Sequence, residues 1–272
     1  MCETYKKSWS MLFKNKGIFL PTLIHFIIIY LLLLITLYAS GLTDIQLTGN
    51  TIDAAKLTGI IKEVFPIFLM FFILDFILTT LATSIRLGYI KQAISNKLIN
   101  IKKDLQLGLK NFKDLLLLRV IIFLIYAVVL SILTLLLVSS AFILGMDSIT
   151  SSKSLVINGY IFTIIFSIVL VLIGLFTLNT YPSLFLKNFK GKKAVTYSYN
   201  LFKRNKLEVL KTVLGLVVTA IVLSIILVIL TKLLSFIPAT SPILNLIFTI
   251  IIISWNNTYV MLKFKELKSP QS

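Results

Sequence analysis

The stretch VFPIFLMFFILDFILTTLATSI, residues 64–85, carries one charge, Asp75, in 22 residues. At 1.5 Å per residue such a helix rises roughly 33 Å, enough to cross a hydrocarbon layer of about 30 Å. Apolar runs of comparable or greater length recur at 18–40, 115–144, 156–186, 212–234 and 243–262. The six runs predict an all-α polytopic membrane protein, one transmembrane domain over residues 1–272 with both ends on one side. A spanning barrel would instead show segments of about ten residues alternating apolar and polar, and none of the runs does.

Composition agrees with this reading. The chain is 58% hydrophobic and 14% charged, whereas soluble domains carry about a quarter charged residues. The first run follows Lys6, Lys7, Lys14 and Lys16 but exceeds the roughly 7 to 15 apolar residues of a signal peptide, so it is expected to remain as a span. Cys2 is the sole cysteine and His25 the sole histidine, which excludes an intramolecular disulfide and a multi-histidine metal site. No metal or cofactor is expected.

Lys and Arg fix the expected orientation, because loops rich in them stay in the cytoplasm. Four precede the first run, seven lie between Arg86 and Lys113, eight between Lys187 and Lys211, and three follow residue 262. The opposite face holds Lys56, Lys62, Lys153 and Lys232. The reading is a multi-pass protein of the cell membrane with cytoplasmic N- and C-termini. Its net charge of +17 gathers beside the spans, as topology requires, so the expected partners are membrane lipids through their anionic head groups, and not nucleic acid.

Three lysine-rich approaches share a pattern. Tyr5, Trp9, Leu12 and Phe13, then Leu105, Leu109, Phe112 and Leu116, then Ala194, Tyr197 and Leu201 recur at helical spacing beside basic residues, each predicting a short amphipathic helix in the interface. Leu12-Phe13-Lys14-Asn15-Lys16 is echoed by Leu201-Phe202-Lys203-Arg204-Asn205-Lys206, and more weakly by Leu109-Lys110-Asn111-Phe112-Lys113. Three tandem units, each an interfacial helix followed by two spans, would produce such echoes. The stretches YKKSWSMLFKNKGIFLP and AVTYSYNLFKRNKLEVLKTVL resemble the helix entrances of uncharacterised six-helix membrane families of archaea and bacteria. These are similar to the membrane domain of glycerophosphodiester phosphodiesterases. The resemblance implies the six-helix layout and carries over no catalytic residue.

No phosphate-binding glycine loop, zinc spacing or nucleophile elbow occurs, so no enzyme is expected. Asp75 is the anomaly, since a mid-bilayer carboxylate needs a partner or water. Arg119 is the partner expected from depth along neighbouring helices. His25, Asn179, Asn256 and Asn257 fall at similar depth and complete a candidate polar layer. That layer reads either as interhelical hydrogen bonding in a membrane-organising, lipid- or partner-binding protein, or as the path of a small-solute or lipid transporter. Pro21, Pro66 and Pro182 are placed near helix ends, where a missing donor matters little.

Overall fold

The computed structural model describes residues 2–39, 54–95, 101–143, 152–234, 236 and 240–267. All regular structure among them is helical. Helix α1 is Cys2–Lys14, and a 3-10 turn at Lys16–Ile18 leads into α2, Leu20–Ala39. Next come α3, Ala54–Ile94, α4, Ile101–Ile143, and α5, Ser152–Thr177. The chain closes with α6, Thr180–Lys187, α7, Gly191–Arg204, α8, Lys206–Leu233, and α9, Thr240–Glu266. Six segments are long and apolar enough to cross a membrane: Lys16–Tyr38, Phe65–Ile94, Ile101–Leu135, Ile164–Lys187, Lys206–Leu233 and Thr240–Glu266. Their large side chains lie uncovered along most of the length, as Ile221 and Ile225 of α8 do at 55% and 54% exposure. Such faces suit hydrocarbon and not water, and the chain is a multi-pass α-helical membrane protein.

Two helices run further than their apolar content suggests. The second span was expected to stop at residue 85, but α3 continues through Arg86 to Ile94. The third was expected to start at residue 115, yet α4 is helical from Ile101. The two extensions hold each other at a glycine crossing. A Cβ on Gly108 would lie 2.6 Å from the Ile85 Cα, and one on Gly88 would lie 3.1 Å from the Asp104 carbonyl oxygen. The Ser84 hydroxyl donates to the Gly108 carbonyl at 2.7 Å. Pro66, expected near a helix end, lies inside α3, an arrangement that spanning helices tolerate because neighbours re-satisfy the freed carbonyl. Pro21 and Pro182 do fall in the first turns of α2 and α6.

Of the three amphipathic helices expected before spans, α1 and α7 are separate elements, whereas the middle one is the leading part of α4. The asparagine of each echo makes the same bond to the carbonyl four residues back: Asn15 to Met11 at 2.9 Å, Asn111 to Leu107 at 2.8 Å and Asn205 to Leu201 at 3.1 Å. The helix breaks at Asn15, where Gly17 follows, and at Asn205, which stands three residues before Glu208 in the spacing of a helix start. It runs on through Asn111. Asp114, at the place of Glu208, turns its carboxylate to Lys190 at 3.1 Å.

Contacts gather into two compact units. One comprises Lys6–Phe112 and Leu227–Thr258. Here the Trp9 and Trp255 rings stack at 5.3 Å, with Trp255 fully buried. The other comprises Met1–Tyr5, Lys113–Ile226 and Tyr259–Ser272. Ser198 of its α7 donates to the Phe176 carbonyl of α5 at 2.6 Å, and Ser183 joins α6 to α7 by donating to the Ala194 carbonyl at 3.3 Å. The turn between them uses Asn188 in the left-handed region, φ 56°, which asparagine tolerates better than most residues. Tyr197 packs between Phe189 and Phe264, with centroids at 4.9 and 6.2 Å, and burial pushes its hydroxyl pKa up. In the same unit Gly215 admits the Tyr259 ring, whose Oη would lie 2.8 Å from an added Cβ.

Candidate functional site

The charge inside the second span is held by its neighbours on α2 and α3. Asp75 and Thr79 stand one helical turn apart on α3, so both face the same way. His25, one turn into α2, meets them there. Its Nε2 lies 3.2 Å from Asp75 Oδ1 and 2.9 Å from Thr79 Oγ1, and the Thr79 hydroxyl donates to Asp75 Oδ1 at 3.2 Å. One imidazole nitrogen therefore serves both partners. A hydrolytic triad needs the two nitrogens to face carboxylate and nucleophile separately, and this cluster has no such relay. The His25 side chain is 11% exposed and that of Asp75 39%.

His25 also forms part of the wall of a recess of about 230 Å³. Ile24 and Ile28 of α2, Leu78, Ala82 and Ile85 of α3 and Leu105 of α4 supply most of the rest. Among the lining residues only His25 and Tyr89 carry a polar side-chain group, and Ala82 sets the depth by lacking one of any size. An apolar hollow of this kind within the spans has no use for water, which would need two to four polar partners there.

Of the expected polar layer, His25 and Asp75 come together. The Asp75 carboxylate meets His25 and Thr79, and the Arg119 guanidinium lies 5.9 Å from the Tyr181 ring centroid, a cation–π distance. Asn179 is buried and donates its backbone N–H to Ser198 Oγ at 3.2 Å, and Asn257 returns its amide to Ile253 at 2.9 Å. Asn256 is half-buried. Arg119 and Asn179 belong to one compact unit, the other four residues to its companion. Among the described residues no three His, Cys, Asp or Glu side chains gather as a metal site would require.

The sequence reading overlooked Arg86. It was counted as a loop residue, but it is only 4% exposed, and its guanidinium donates to the hydroxyls of Thr22 on α2 and of Thr83, the latter at 3.2 Å. The signal available was the company of Thr80, Thr83 and Ser84, hydroxyl side chains on the turns preceding it, all buried. No family model, no curated protein and no solved structure matches the chain.

Proposed function

We propose that this chain is a non-catalytic membrane protein of the cell membrane that holds a bilayer lipid by its acyl chain, with its lysine-rich ends in the cytoplasm and anionic head groups, not nucleic acid, as its other partners. The observation that carries this reading is the apolar recess beside His25. Within a bilayer the molecules at hand to fill it are acyl chains, and methylene groups against Ile, Leu and Ala gain dispersion contacts that an empty hollow forfeits. The shared use of Nε2 by Asp75 and Thr79 speaks for a structural cluster and against catalysis.

The test uses the full chain in nanodiscs containing a phospholipid with a photoactivatable acyl chain. Peptides of α2 and α3 that line the recess should label more strongly than the lipid-facing Ile221–Ile225 segment. Ala82→Trp, which fills the recess, should bring them down to that level. Equal labelling with and without the indole would remove this reading.

A second reading, a small-solute or lipid transporter, draws on Asp75, 39% of whose side chain the chain leaves uncovered. It expects Asp75→Asn to abolish solute or lipid flux in proteoliposomes while the protein stays folded; unchanged flux would end it.

A further inference from the structure

A cavity of about 860 Å³ opens where α7 ends, α8 begins and the last turn of α9 passes. Five cations line it, Lys203, Arg204, Lys206, Lys211 and Lys263, with two carboxylates, Glu208 and Glu266. Each carboxylate is already matched. Glu208 accepts from Lys211 at 2.7 Å, and Glu266 accepts from Lys263 at 2.7 Å. Lys203, Arg204 and Lys206 are exposed and have no carboxylate partner among the described residues. The end of α7 and the start of α8 meet at Asn205, so their opposed dipoles largely offset each other and the surplus rests on side chains.

This cavity differs from the basic approaches that topology alone requires. The Lys263 side chain is only 7% exposed, and an ammonium so enclosed is held in place only if its charge is well answered. Glu266 answers it and is itself fixed by the Thr4 hydroxyl of α1. The cavity is thus braced on one side by a part-buried ion pair and left positive on the other. It lies at the ends of two segments long and apolar enough to cross a membrane.

We propose that this cavity binds a phosphate group, with Lys203, Arg204 and Lys206 supplying the charge and the Arg204 guanidinium able to offer two parallel donors to one phosphate. The site is in other residues and another unit than the acyl-chain recess and stands whether or not that recess holds lipid. The phosphate is carried by a lipid head group or is free in solution.

The experiment titrates the detergent-solubilised full chain with mixed micelles containing phosphatidic acid, and in a separate arm with inorganic phosphate. A triple variant, Lys203→Gln, Arg204→Gln and Lys206→Gln, is set against a control of equal charge loss, Lys6→Gln, Lys7→Gln and Lys14→Gln. The cavity variant should bind phosphatidic acid at least about tenfold more weakly, and the control less than about threefold. Competition by inorganic phosphate, lost in the same variant, would identify a free phosphate as sufficient; binding confined to the micelle arm would identify the lipid head group. Equal losses in the two variants, or no preference over micelles of zwitterionic lipid, would overturn the proposal.

Discussion

Two of the charges on helix α3, Asp75 and Arg86, stand three turns apart and live in opposite circumstances. Asp75 sits within an almost uninterrupted apolar run and yet keeps 39% of its side chain uncovered. Arg86 comes where the run gives way to polar residues, and it is 4% exposed with threonine hydroxyls on its guanidinium. Hydropathy therefore ranks the two in reverse order of burial. What decides burial is the packing around each. The glycine crossing draws α4 against the end of α3, whereas the Asp75 carboxylate, beside His25 and Thr79, keeps 39% of its side chain uncovered.

Removing Arg86 should have the largest effect. Arg86→Leu leaves two buried hydroxyls without this donor, and each unmet bond to a charged group is worth about 1.5 to 3 kcal/mol; the unfolding midpoint in nanodiscs should fall clearly, with Arg86→Lys falling less because an ammonium still donates, though without the fixed fork between Thr22 and Thr83. Thr22→Val comes next, a near-isosteric loss of about 1 to 2 kcal/mol, and in a double-mutant cycle with Arg86→Leu the two losses should fall well short of additive. Asp75→Asn should change stability least, by about 0.6 kcal/mol or less, since the amide oxygen still accepts from Thr79 and membrane hydrogen bonds average about that value. A larger loss at Asp75 than at Arg86 would reverse the ranking and make the His25 cluster the structural centre of its unit.

Much of this was legible beforehand. Long runs without charge announce six spans because the bilayer offers no alternative partner for a peptide group, and Asp75 and His25 both stood out as polar groups at depth. Their meeting did not, because which helices are neighbours depends on faces, and the faces of these spans are apolar nearly all round. The ends of α3 and α4 were hidden for another reason. A hydropathy run marks where hydrocarbon stops, while a helix stops where its backbone finds other partners, and Gly88 and Gly108 let both helices continue past lysines that look like loop. The helix breaks at Asn205 and runs on through Asn111 although both asparagines bond the carbonyl four residues back, a distinction that short echoes cannot carry.

The glycine crossing also bears on how the chain is made. The Ser84 to Gly108 bond joins residues 24 apart, so it closes as soon as the second and third spans have left the ribosome. At about 5 to 20 residues per second, the residues from the end of α4 to Ser272 take roughly 6 to 26 seconds to follow. During that interval the hairpin is already a clasped pair in the lipid, and Arg86 enters the bilayer with Thr83 beside it and α2 already there to provide Thr22. The donors and acceptors around Arg86 are thus all present before the later spans are made.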